Sequence, residues 1–283
     1  MRNIIFTFLF LYTTLLFSQS NYDAGIELLK TEQYSEAIKK FDLAEKDNNK
    51  NSRVYFNRAM CYTVLEKYPE ALKDYDKTLK LDNKNYQALF FRGLVKKDLK
   101  DYKGAVKDLL EAYDKDATLT RALLKSGEIY LYNIEDYKKA IEVFDTYLSY
   151  DPDNALVLAY LGNAYGSIDN AKNKKIAIGY MDKAIAIKQE SWYYLTRGRL
   201  YFDLFDFDHD TKNLTNAIDN FTIAIKLAPT ESKLYFWRAE VFFQLKQKEN
   251  ACPDYIKAAE LGYDVPKFKI ELCKSKGHLL IID

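Results

Sequence analysis

Apolar residues recur along this chain at helical rather than strand spacing. Small residues stand at Gly25, Ala59, Gly93, Gly127, Gly162, Gly198 and Ala239, separated by 34, 34, 34, 35, 36 and 41 positions. A second series of alanines, Ala37, Ala71, Ala105, Ala140, Ala177, Ala217 and Ala251, is followed four positions later by Phe41, Tyr75, Leu109, Phe144, Met181, Phe221 and Tyr255. Three further on come Ala44, Thr78, Ala112, Tyr147, Ala184, Ala224 and Ala258, which completes the i, i+4, i+7 face of an amphipathic helix. The two series predict seven copies of a helix pair, with helix A carrying the first small residue and helix B the second. Small residues facing each other let the two backbones approach, and the large residues above and below fill the gap.

The pattern is different before the first copy. Arg2 precedes an uncharged apolar run of 14 residues from Ile4 to Phe17, followed by Ser18-Gln19-Ser20. A basic start, an apolar stretch too short to span a bilayer and a small polar exit are the three parts of a secretory signal peptide. Residues 1–18 are therefore expected to be removed, leaving a chain that starts near Gln19, has no integral membrane span and is exported, to a periplasm or beyond the cell. An uncut membrane anchor is the alternative, and the mass of the mature chain separates the two.

The 34-residue unit, the paired small residues, the aromatics at Tyr62, Tyr130, Tyr165, Tyr201 and Phe242, and the prolines at Pro152 and Pro229 together resemble the tetratricopeptide repeat. The resemblance runs over residues 19–264 and implies an all-α fold: a right-handed α-solenoid of about seven helix pairs. Residues 265–283 are then a capping helix and a short tail, as the exposed face of a last repeat requires. Two positions depart from the pattern: Lys96 replaces an aromatic and Tyr147 replaces a small residue, so less regular packing is expected in repeats three and four.

Two further regularities depend on the same register. Arg58, Arg92 and Arg238 precede the small residue of helix A, and Asp74, Asp108 and Asp254 follow each of them by 16 positions. Repeats that lack the Arg also lack the Asp, which predicts ion pairs between helices A and B of one repeat rather than a row of ligand-binding cations. Repeat six has Arg197 with Asn220 at the corresponding site. The A-to-B gap is 12 residues in repeats one, two, three and seven but 13, 15 and 19 in repeats four, five and six. Three consecutive enlarged loops on one rim are expected, and loops of that kind often serve binding.

Composition narrows the chemistry. Lys plus Arg number 42 against 41 Asp plus Glu, so there is no basic field to hold nucleic acid. Of three cysteines, Cys252 opens the last helix B and Cys273 lies in the following amphipathic segment, an arrangement in which antiparallel packing brings them within disulfide reach; two buried thiols are the alternative. Cys61 reads as a small core residue. Asp206, Asp208 and Asp210 resemble the start of a calcium loop, but Thr211 and Ala217 stand where that loop needs Gly and Glu. His209 and His278 have no second ligand at helical spacing. Nothing in the sequence points to a catalytic residue, a metal site or a cofactor.

In the tetratricopeptide family helix A lines the concave face, and this register places Phe56, Asn57 and Met60, then Phe90, Phe91 and Leu94, on that face. Arg121, Leu124 and Glu128 follow, then Tyr160 and Asn163, Trp192, Arg199 and Phe202, and finally Phe236, Trp237 and Phe243. Aromatic residues with an occasional Arg or Asn are the composition of a protein-binding surface. The carboxylate clamp of cytosolic co-chaperones does not carry over: its five places hold Tyr22, Ile26, Asn57, Gln87 and Phe91, and only Asn57 matches. The sequence thus reads as an exported, non-enzymatic scaffold that binds a protein or peptide in its groove or along the enlarged loops. Two other readings stand beside it: a structural subunit of a cell-envelope assembly that uses the convex face, and a metal-binding or enzymatic role for the acidic insertion of repeat six.

Overall fold

The computed structural model describes residues 20–274, and the expected signal peptide, together with His278, lies outside them. The described residues contain helices and no strand. They divide into two compact units, one ending at Glu135 and one starting at Asp136.

The first unit contains α1 (20–30), α2 (Tyr34–Asp47), α3 (Ser52–Val64), α4 (Tyr68–Leu81), α5 (Tyr86–Asp98), α6 (Tyr102–Lys115) and α7 (Thr120–Ile129). Its helices pack consecutively, with α3 on α4 and α5 on α6 as the closest pairs. The second unit contains α8 (Tyr137–Leu148), α9 (Ala155–Gly166), α10 (Ala171–Ile187), α11 (Ser191–Asp208), α12 (Thr211–Leu227), α13 (Ser232–Gln244), α14 (Lys248–Glu260) and α15 (Lys267–Lys274). There α9 pairs with α10, α11 with α12 and α13 with α14. In both units the small-residue series meets the large one. A Cβ on Gly198 would lie 2.7 Å from Phe221 Cε1, and Phe221 is fully buried, so only a residue without a side chain lets α11 and α12 close to this distance.

The three insertions are not enlarged loops. In repeat four the extra residue is absorbed in a π-helical turn, Tyr130–Ile134, which continues α7. In repeat five α10 starts at Ala171, six residues before its core Ala177, whereas α4 starts at Tyr68, three before Ala71. In repeat six α11 runs on to Asp208 and α12 starts at Thr211, so the added residues give each helix about one further turn. His209 and Asp210 alone separate the two helices. The added turns have their own core in Leu204 and Leu214, both buried, so the insertion continues the hydrogen-bonded helix and extends its apolar stripe.

Six of the seven A-to-B turns, all but that of repeat five, follow a rule that no glycine signals. Glu32, Glu66, Lys100, Glu135, His209 and Lys246 all have positive φ, between 54° and 64°. Each closes a helix A in the left-handed conformation, and in repeats two and three the following amide bonds back to a carbonyl five residues earlier, Lys67 to Tyr62 and Asp101 to Lys96.

Departures from the repeat pattern have local partners. Lys96 reaches Asp108 at 2.8 Å and joins the Arg92 pair, so its replacement of an aromatic adds an ion pair at that level. Tyr147 accepts a hydrogen bond on its hydroxyl from Asn154 at 3.4 Å, which ties the end of α8 to the start of α9.

Candidate functional site

The arginines that precede the small residues are structural and have more partners than the 16-residue spacing indicates. Arg58 holds Asp74 through two hydrogen bonds of 2.7 and 2.9 Å, and its other terminal nitrogen reaches Asp42 at 2.6 Å and Glu45 at 2.5 Å on α2. Arg92 repeats this with Asp108 at 2.7 Å and Asp76 on α4 at 2.6 Å. In the second unit Arg238 binds Asp254 at 2.7 Å and Thr222 on α12 at 3.1 Å, and Arg197 binds Asn220 at 2.8 Å and Asp182 on α10 at 2.5 Å. Each guanidinium therefore spans three helices: helix B of the preceding repeat, its own helix A and its own helix B. The preceding partners Asp42, Asp76 and Thr222 lie 16 residues upstream, a spacing visible in the sequence.

The candidate groove residues separate into three groups. In the first unit Phe56 and Phe91 are half-buried with ring centroids 6.1 Å apart, and Met60 and Leu94 are half-buried beside them on α3 and α5. Asn57 donates to the Tyr22 hydroxyl at 3.0 Å and to the Arg53 carbonyl at 2.9 Å, so it fastens α1 to α3. Phe90 is a correction. It is 4% exposed, packs edge-on to Phe91 and lies beneath the Arg121 guanidinium at 4.4 Å, so it belongs to the core between α5 and α7 and offers no surface to a partner.

In the second unit helix A residues form a partly open face. Tyr160 on α9 lies 6.2 Å from Trp192 on α11, and Trp237 on α13 lies 6.5 Å from Phe202 and 5.8 Å from Phe236. Where α9 meets α11 is a pocket of about 100 Å³ lined by Asn163, Gly166, Ser167, Thr196, Arg199, Leu200 and Asp203. Arg199 is exposed and stacks on the Trp237 ring at 4.6 Å, with no carboxylate bound to it. The acid beside it is engaged elsewhere: the buried Lys174 of α10 donates to Asp203 at 3.0 Å and to the Gly166 carbonyl at 2.8 Å. With Asp203 balanced by Lys174, Arg199 leaves the pocket with one uncompensated positive charge, which suits a carboxylate flanked by apolar side chains. Of this pocket, Asn163 and Arg199 are legible from the register, while Thr196, Asp203 and Lys174 are not; Lys174 sits in the added first turn of α10, 29 residues from its acid partner.

Two of the three acidic residues of repeat six bond to the start of α12. Asp208 accepts from Asn213 Nδ2 at 2.9 Å, and Asp210 accepts from the Lys212 amide at 2.9 Å at the start of α12. Among the described residues no group of three or more His, Cys, Asp or Glu side chains is placed to hold a metal ion. Cys252 and Cys273 form a disulfide with Cα atoms 5.3 Å apart, and Cys61 is a buried free thiol. No helix among the described residues is long and apolar enough to cross a membrane.

Comparison with known proteins agrees with this construction. Residues 52–85, 120–154 and 232–261 match the family description "Tetratricopeptide repeat". A 155-residue stretch, 55% of this chain, is 29% identical to the Hsp70-Hsp90 organizing protein of Triticum aestivum and spans 21% of that protein's length. Among solved structures, the C-terminal part of a TPR repeat-containing protein from Cytophaga hutchinsonii is similar at 22% identity, with a TM-score of 0.71 over 88% of this chain and 98% of that one. A tetratricopeptide repeat protein from Parabacteroides merdae is similar at 18% identity, with a TM-score of 0.60 over 92% and 98%. MamA from Desulfovibrio magneticus is similar at 22% identity, with a TM-score of 0.54 over 64% and 96%. The three matched segments read as tetratricopeptide repeats, the all-helical, consecutively paired arrangement is the fold of these solved structures, and repeats of this kind support a protein-interaction scaffold in general terms.

Proposed function

We propose that this tetratricopeptide-repeat chain is an exported, non-enzymatic scaffold that holds an extended protein segment on the helix A face of its second unit. An acidic side chain of the segment seats against Arg199. The observation that carries the reading is that Arg199 lacks a carboxylate partner while Arg197 on the same helix and Arg238 on α13 are paired. A solvent-facing guanidinium already stacked on an indole gives up little freedom on binding an anion, and Tyr160, Trp192, Phe202 and Phe236 supply rigid apolar contacts on both sides. Export is supported by the layout of Arg2, the Ile4–Phe17 run and Ser18-Gln19-Ser20, and by the disulfide, which persists in oxidising compartments.

The test is selection of peptides from a random extended library on the mature chain, repeated with Arg199→Ala. The reading expects enriched sequences with an Asp or Glu beside aromatic or apolar residues, and loss of the acidic preference in the variant. Enrichment of basic sequences, or the same acidic preference in both, would count against it.

The envelope-subunit reading has one observation of its own. On the helix B side of the second unit a hollow of about 530 Å³ is lined by Leu148, Pro152, Leu158, Tyr180, Ala186 and Ile187 together with the charged Asp153 and Lys183, with Ile187 49% exposed. A partner bound there would be lost on Ile187→Glu and kept on Arg199→Ala.

A further inference from the structure

The last helix, α15, has eight residues, and the side chain it buries is that of Lys269. The Lys269 ammonium lies 5.7, 5.2 and 5.1 Å from the ring centroids of Phe236, Phe243 and Tyr255, with Phe268 of α15 itself at 5.8 Å. It pairs with the Glu240 carboxylate and donates to the Tyr255 hydroxyl at 3.1 Å, while that hydroxyl donates to Glu240 at 2.7 Å. Three rings and a carboxylate, all supplied by α13 and α14, therefore surround one primary ammonium. Ring faces attract a cation and Glu240 supplies its counter-charge, so the arrangement recognises an alkylammonium as such.

Ile270 and Cys273 of α15 also pack against the apolar cluster of Ala239, Ala251, Tyr255, Ala258 and Val265. Phe268 is 60% exposed, and an eight-residue helix has no stability of its own in water. Its covalent attachment is the disulfide from Cys273 to Cys252 on α14. We propose that the cage on α13 and α14 is a binding site for a lysine side chain of a partner protein, filled in cis by Lys269 and opened by reduction of the Cys252–Cys273 disulfide. The reductant is a dithiol: one thiolate attacks a sulfur of the pair to form a mixed disulfide, and its second thiol resolves it. The protein gains two thiols and the reductant becomes a disulfide. This site uses neither Arg199 nor the pocket on α9 and α11, so the two proposals fail independently.

The full chain is compared oxidised, reduced with dithiothreitol and as Cys252→Ser by amide hydrogen exchange. A labelled synthetic peptide of residues 264–274 carrying Cys273→Ser is then titrated by fluorescence anisotropy. Exchange across residues 267–274 is expected to rise at least tenfold on reduction and in Cys252→Ser. The peptide should bind the Cys252→Ser, Lys269→Ala chain, from which the competing cation is removed, and not the oxidised wild type; a Lys269→Gln peptide should bind at least tenfold more weakly. Unchanged exchange on reduction overturns the gate, and equal binding of the Lys and Gln peptides overturns the cage. If Cys252→Ser loses helix by circular dichroism, Cys273→Ala leaves α14 unaltered and carries the same comparison.

Discussion

Lys174, in the first turn of α10, donates to Asp203 of α11 at 3.0 Å and thereby removes that carboxylate from competition for Arg199. The lysine side chain is 9% exposed and the aspartate 39%, so the pair is anchored from the buried side and presents its acid at the edge of the pocket. Replacing Lys174 with Met is expected to free Asp203 to neutralise Arg199 and to weaken an acidic peptide about tenfold. Adding Asp203→Asn should restore most of the affinity. Titration of the selected peptide against the single and double variants checks this; a single variant that binds like wild type contradicts the assigned role.

Arg58 is the most heavily paired of the repeat arginines, and Asp74, which it holds, is buried. Arg58→Met leaves that acid without a counter-charge and should cost about 3–5 kcal/mol, whereas Arg58→Met with Asp74→Leu should recover most of the loss. Denaturant midpoints of the two variants read the difference. Burial alone would raise the Glu45 carboxyl, but the hydrogen bond and charge of Arg58 outweigh it and hold Glu45 below its ordinary range. Its contribution is therefore present at neutral pH and lost on acidification below about pH 4, and Arg58→Met should flatten that part of the stability profile.

The Cys61 thiol is fully buried, and burial pushes its pKa up to about 11. An unfolded thiol ionises near pH 8.5, so above that the unfolded state releases a proton that the folded state keeps. Stability contributed by this group should fall between about pH 8.5 and pH 11, by at most about 1.4 kcal/mol per pH unit. Urea midpoints at pH 8 and pH 10 for wild type and Cys61→Ala measure the difference, and a thiol reagent should find Cys61 only after unfolding.

Glu66 and Lys100 close their A-to-B turns with φ of 57° and 64°. A left-handed conformation costs a side-chain-bearing residue about 1 kcal/mol or more, and glycine avoids that penalty at some expense in unfolded-chain entropy. Glu66→Gly and Lys100→Gly should each stabilise the chain by about 0.5 kcal/mol in thermal unfolding. Destabilisation by either would mean that the side chain contributes more than the turn conformation costs.

The helix pairs were readable because close approach of two helices demands a small residue at a fixed height, as at Gly198 against Phe221, and that demand recurs in every repeat. A gap count gives the number of added residues and not whether they continue the helix; Leu204 and Leu214 are the apolar signal that they do. Family positions describe the backbone register and place Phe90 on the open face, while Arg121 of α7 decides what is covered. The Lys174–Asp203 pair joins residues 29 apart in one of the lengthened repeats, outside any period the sequence displays. The disulfide partners were suggested by helix ends alone, but nothing in the spacing indicates that α15 is attached through a lysine in an aromatic cage.

The claim that the helix A face of the second unit is the binding surface is tested most directly by affinity capture from the native cell envelope. The baits are the mature chain, an Arg199→Ala, Trp192→Ala variant and an Ile187→Glu variant, each checked for folding by circular dichroism. The account predicts one partner recovered by the wild type and by Ile187→Glu and lost with the Arg199, Trp192 pair. Recovery of that partner by the Arg199, Trp192 variant and its loss with Ile187→Glu would contradict the account and place the binding surface on the helix B side.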